Sequence, residues 1–264
     1  MSLIDRFELI VITSARSGTH MLCTALETVG YKCADELLRP DLFVDTRKKG
    51  FQQRYKEVIK TEWRPALNRA ADVGFHGFPV FRGGVHGPDD FWNQVRNSNS
   101  DMILIQLHRQ DLLALALSRK IAAKTKVWQS RKEVEPHDFQ VEIEPGWYAQ
   151  HCEKYLKDIR DMSIFLDGRT VLNVAYEHLC ESPEYFASVL SAVCGHPVEK
   201  AEPKTFKQEK RPVSDVVSNY DQLYSMFHGT PYWYNPTEIP EVRPNFFSSE
   251  VQRRGGKILV EGAS

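Results

Sequence analysis

Apolar and polar positions divide the chain into short apolar runs and longer stretches with helical spacing. Phe7-Glu8-Leu9-Ile10-Val11-Ile12 is rich in β-branched residues, which predicts a buried strand. After the small-residue stretch that begins at Thr13, Met21, Leu22, Ala25, Leu26 and Val29 fall at helix spacing, and Gly30 supplies a C-cap. Residues 73–81 form a weaker strand candidate, interrupted by two Gly and one Pro. Met102 to Leu107 is the clearest further core strand, and Val171 to Val174 is another. Helices are expected over Asp89 to Arg96, Leu112 to about Val127, Pro145 to Phe165 and Pro183 to Val193, with Asp111 and Ser182 as N-caps, and a short one near 213–223. Residues 47–71 are charged and helical in pattern, and Pro65 is expected to split them into two helices. Within a single domain over 1–264, residues 40–72 are a candidate helical lid or acceptor-side insertion, and 224–264 a largely irregular tail. Strands alternate with helices, so the expected class is α/β, a central parallel sheet flanked by helices.

Charge and cysteine usage narrow the partners. Lys and Arg number 34 against 35 Asp and Glu, so no overall basicity argues for nucleic acid, and any anion site must be local. Five cysteines, an odd number with no C-x-x-C pair and no zinc-type spacing, read as free thiols in a reducing compartment. The first apolar run is short and flanked by Asp5 and Glu8, which does not read as a signal peptide. No run approaches the ~20 apolar residues of a membrane span, so a cytoplasmic protein without an integral membrane segment is expected.

The candidate chemistry lies in Ala15-Arg16-Ser17-Gly18-Thr19-His20, between the first strand and the first helix. A small-residue turn there leaves backbone N–H groups unpaired at a helix start, which with the helix dipole makes an anion site. Gly18 permits close approach of a ligand, Ser17 and Thr19 add hydroxyls, and Arg16 adds a fixed cationic fork. An ordinary capped β–α turn is the plainer alternative. A Walker A loop is excluded, because there is no first Gly and no Lys after Gly18.

R-S-G-T after a strand resembles the 5′-phosphosulfate loop of sulfotransferases, which use 3′-phosphoadenosine 5′-phosphosulfate (PAPS). Three further stretches carry the likeness. Leu107-His108-Arg109-Gln110-Asp111 through Ser118, on to Ala123, Thr125 and Trp128, is similar to the family's 3′-phosphate motif. Tyr176-Glu177-His178-Leu179 resembles its Y-E-x-L block. Lys207-Gln208 with Asn219-Tyr220 resembles the closing segment of the bacterial carbohydrate sulfotransferases of trehalose, lipopolysaccharide and Nod-factor type. His20 departs from the small hydroxyl residue common at its place. The resemblance implies a P-loop-like sulfotransferase fold, PAPS as co-substrate with PAP as product, and a small-molecule or glycan acceptor.

It also distributes roles. Arg16 and the loop from Ala15 to His20 hold the 5′-phosphosulfate, and Arg109 and Ser118 hold the 3′-phosphate. No metal is required. For the general base, Glu36 or its neighbour Asp35 falls in the segment where the resembled sugar sulfotransferases carry an acidic base; His20 and His76 are rivals. A kinase with a degenerate phosphate loop and a non-catalytic nucleotide-binding module share the anion loop and stay open. The oligomeric state is open too, a homodimer among the options.

Overall fold

The computed structural model describes residues 2–34, 36–81, 88–98, 101–127, 138–200, 209 and 211–234. Four strands, β1 (Leu9–Thr13), β2 (Gly77–Phe81), β3 (Ile103–His108) and β4 (Val171–Ala175), form one parallel sheet in the order β2-β1-β3-β4. The α/β class and parallel sheet are as the alternation of strands and helices predicts. The chain moves from β1 outward to β2, then crosses to the other side of β1 for β3 and β4. The order therefore reverses between β1 and β3, and open α/β sheets bind ligands beyond the carboxyl ends of the strands at such a point.

All five residues of β1 are buried, because the sheet is covered on both faces. Leu9 and Val11 face α1 (Thr19–Thr28) and α7 (Pro183–Cys194), packing with Leu22, Leu26, Val189 and Leu190. Ile10 and Ile12 face the other way, onto α2 (Phe51–Asp72) and α3 (Asp89–Arg96) through Ile59, Trp63, Leu67 and Phe91. A third cluster joins α4 (Leu112–Thr125), α5 (Pro145–Phe165), α8 (Val213–Val216) and α9 (Tyr220–Phe227). Between β4 and α7 lies the short α6 (Tyr176–Glu181). Asp111 caps α4, its carboxylate accepting from Ala114 N at 2.7 Å, and Ser182 caps α7, accepting from Tyr185 N at 3.0 Å, both as expected.

Residues 51–72 form one helix, not two, with Pro65 inside it. Proline removes one intrahelical hydrogen bond and crowds the preceding turn. The apolar stripe Tyr55, Ile59, Trp63, Ala66, Leu67 and Ala70, buried on both sides of Pro65, holds the helix to the sheet regardless. Pro79 sits in β2 without conflict, since β2 pairs with a full strand only on its β1 side. Gly77 lets β2 start hard against β1: a Cβ there would lie 2.5 Å from the Leu9 side chain and carbonyl.

Candidate active site

The loop after β1 ends at Gly18, the N-cap of α1, at φ 86°. Among the described residues no side chain caps that helix end, which leaves its first-turn N–H groups at the carboxyl edge of the sheet, where β1 ends. The ring of Tyr176 packs against the glycine so closely that a Cβ on Gly18 would lie 2.1 Å from it. The Arg109 guanidinium lies over that ring, 4.4 Å from the centroid. Ser17 is fully buried, and its hydroxyl lies 3.0 Å from that of Ser14. Arg16 also has positive φ, 72°, a conformation that costs a non-glycine residue roughly 1–2 kcal/mol.

Three guanidinium groups converge on this loop. Arg16 Nε donates to Ser118 Oγ at 2.9 Å. Arg109, at the end of β3, donates from one terminal nitrogen to the Arg16 carbonyl at 3.4 Å and from Nε to Glu177 at 3.3 Å. Arg119, one residue past Ser118 on α4, donates to the Ala15 carbonyl at 3.2 Å. Burial first, and then the neighbouring Arg109 charge, press the Arg16 pKa below its ordinary value; Arg119 adds to this. The charge stays, because guanidinium is not deprotonated in proteins, so its proximity to two others is a cost that a bound anion would relieve.

Glu177 is the carboxylate that organises the far wall. It is buried and accepts from Arg109 Nε, Gln110 N at 2.9 Å and Asp111 N at 3.2 Å, tying α6 to the turn between β3 and α4. Tyr155 of α5 reaches the same turn, accepting from Arg109 N at 2.6 Å. Arg109 therefore pairs with Glu177 across 68 residues rather than with Asp111 beside it.

The sequence-predicted residues are partly gathered here. Ala15 to His20, Arg109 and Ser118 lie together at the switch point. His20 is the second residue of α1. His76 is elsewhere: it immediately precedes β2, and its Nδ1 accepts from Lys32 N at 2.9 Å. That is the amino edge of the sheet, about 13 Å of strand away from the loop, and it removes His76 as a rival base. The chain after α1 also meets the sheet there, since Cys33 pairs with Gly77. The pairing is parallel, so at Cys33 the chain points toward the carboxyl edge; Glu36 is half-buried. Asp35, Trp128, Lys207 and Gln208 lie outside the described residues. Asn219 is within them and clasps the backbone of Ile143, a structural duty.

Arg119, Tyr155 and His151 were not singled out by their sequence. Arg119 belongs to a group of cations that suits a helix C-terminus, yet it stands six residues before the end of α4. The dipole fades within the last turn, and that mismatch was the available signal.

Two histidines here are held neutral. Burial pushes His108 down to about 4, and burial with the Arg119 charge pushes His151 down to about 4. Between about pH 6.5 and 4 the unfolded chain takes up protons that these folded sites refuse, so stability falls on acidification through that window. For the deeply buried His108 the loss from pH 7 to 5 should be about 2 kcal/mol. Urea unfolding at the two pH values measures it: His108→Asn should lose less than wild type by that amount, and equal losses would contradict the assignment.

Fold and site together define a parallel α/β protein with a loop at its topological switch point on which guanidinium groups converge. No family model and no curated protein matches the sequence. Solved structures similar to it include a sulfotransferase domain from the curacin biosynthetic pathway, at 12% identity and TM-score 0.45, covering 85% of this chain and 87% of that one. A sulfotransferase from Alicyclobacillus acidocaldarius is similar at 13% identity and TM-score 0.46, covering 84% and 96%. The sulfotransferase domain of the Synechococcus PCC 7002 olefin synthase is similar at 12% identity and TM-score 0.38, covering 81% and 82%. These are loose likenesses of chain trace, and the functional reading stands on the site's own residues. No described helix is long and apolar enough to cross a membrane, and the described residues contain no cluster of three metal-ligating side chains.

Proposed function

We propose that this protein transfers a sulfuryl group from PAPS to a hydroxyl of a carbohydrate or other small acceptor. The observation that carries the reading is the convergence of Arg16, Arg109 and Arg119 on a β–α loop whose helix start has no side-chain cap among the described residues. Glu177 answers Arg109 directly; the excess positive charge suits a dianionic or larger phosphate ester. The resemblance of R-S-G-T and of the Arg109-to-Ser118 stretch to sulfotransferase motifs selects PAPS among such esters.

In this reading the loop residues Ala15 to His20 bind the 5′-phosphosulfate. The bond between sulfur and the 5′-phosphate oxygen breaks as the acceptor oxygen bonds to sulfur, and the acceptor proton passes to a base. Negative charge then grows on the leaving phosphate, where Arg16 and the first-turn N–H groups of α1 stabilise it. Ser118 accepts from Arg16 and keeps its own O–H to donate, which suits it to a phosphate oxygen; the resemblance assigns it, with Arg109, to the 3′-phosphate. Glu36 is the base in this scheme. Its support is the resemblance, which implies an acidic base in this segment, and the direction of the chain at Cys33, which points toward the carboxyl edge.

The test is a screen of sugar and small-molecule hydroxyls with labelled PAPS. Once an acceptor is found, Glu36→Gln should lower kcat by about 100-fold with donor affinity unchanged. Full activity in Glu36→Gln together with its loss in a His20 variant would move the base to His20.

A further inference from the structure

Arg16 is held in a left-handed conformation that a glycine would adopt more readily. Its φ is set by the peptide plane before it and its ψ by the plane after it, because peptide units are planar. Each plane is tied back by its carbonyl: Ala15 O accepts from Arg119 at 3.2 Å, and Arg16 O accepts from Arg109 at 3.4 Å. Arg109 owes its own position to Glu177 and Tyr176. The counterpart for Arg119 is His151 of α5, whose Nδ1 lies 3.2 Å from the other terminal nitrogen of the guanidinium. His151 in turn stacks on Trp147 at 5.0 Å and 8°, and Lys120 caps that indole at 4.3 Å.

We propose that Arg119 and His151 form a brace that positions the anion loop: the imidazole holds the guanidinium, and the guanidinium holds the Ala15 carbonyl and with it the φ of Arg16. Both are positioning residues that act through the loop. This deepens the sulfuryl-transfer reading and rests on it for the choice of ligand. To accept from a guanidinium, His151 must be neutral, with its proton on Nε2. Burial and the Arg119 and Lys154 charges keep it neutral at pH 7. Turning the carbonyls of residues 15 and 16 onto arginines also takes their negative ends out of an anion's way. Arg119 Nε and His151 Nε2 are both buried with no partner among the described residues.

The experiment is calorimetric titration with adenosine 3′,5′-bisphosphate (PAP), and with pyrophosphate as an anion lacking the nucleoside. The proteins are wild type, Arg16→Ala, Arg119→Ala, Arg119→Lys, His151→Phe and the Arg119→Ala/His151→Phe double variant, with melting curves to confirm folding. Arg119→Ala should weaken PAP about tenfold, equivalent to about 1.4 kcal/mol. Lysine keeps the charge but cannot bridge two partners in one plane, so Arg119→Lys should recover less than half of that. His151→Phe preserves a stacking ring on Trp147 and should weaken PAP about fivefold in wild type, with no further loss in the Arg119→Ala background. Full recovery with lysine, or additive losses in the double variant, would overturn the brace. If Arg16→Ala loses PAP while Arg119→Ala does not, the brace fails and the function reading stands. If wild type binds pyrophosphate and not PAP, the function reading fails and the brace is judged on pyrophosphate. Should Arg119→Ala not fold, the lysine and phenylalanine variants decide.

Discussion

Arg16→Ala should lower kcat by about 100- to 1,000-fold at saturating donor, the usual cost of removing one donor aimed at developing charge. The fold should survive. Arg16 is half-buried beside Arg109 and Arg119, which makes its charge unfavourable in the free protein, and alanine removes that repulsion while leaving the backbone bonds of the loop. The melting temperature should therefore hold or rise as activity collapses, the pattern of a residue kept for function at some expense of stability. Steady-state kinetics beside a thermal melt measures both. Near-normal kcat, or a melting temperature that falls with activity, would contradict the assignment.

Glu177→Ala should have the largest effect on stability, about 3–5 kcal/mol, the cost of breaking a buried ion pair from one side. Its side chain is 8% exposed, as is that of Arg109. Without the carboxylate, Gln110 N and Asp111 N lose their acceptor, and Arg109 faces Arg16 uncompensated. For a chain of this size the melting temperature should drop by roughly 10 °C. Denaturant unfolding gives the free energy directly, and a loss below about 1 kcal/mol would mean that water or another group carries the Arg109 charge.

Much of the fold was legible because its signals are local. The apolar run before Thr13, the Asp111 and Ser182 caps and the strand–helix alternation all express themselves within a few residues, and the structure keeps each of them. Pro65 misled, since helix breaking is a local penalty that the buried stripe from Tyr55 to Ala70 overrides through tertiary packing. The candidate site was half legible as a cluster. The loop, Arg109 and Ser118 are marked by residue type and position after strands. Arg16 and Ser118 prove to bond each other across 102 residues, a pairing that no spacing announces. Glu177 was visible only as part of a structural block, and its hold on Arg109 depends on β4 lying next to β3. Trp147, His151 and Tyr155 share one face of α5 at intervals of four. In the sequence that reads as an ordinary buried helix face, and only the packing of α5 against the loop gives it chemistry.

The central claim, a site built for a 3′-phosphorylated adenine nucleotide, is tested most directly by calorimetric titration of the wild-type protein with PAP and with AMP, without divalent metal. The two ligands share the adenosine and the 5′-phosphate and differ only at the 3′-position, where Arg109 and Ser118 are proposed to act. The account predicts that PAP binds about 100-fold more tightly than AMP, and that Ser118→Ala narrows the gap. Equal binding of the two nucleotides, or tight binding of ATP only when magnesium is added, would contradict it.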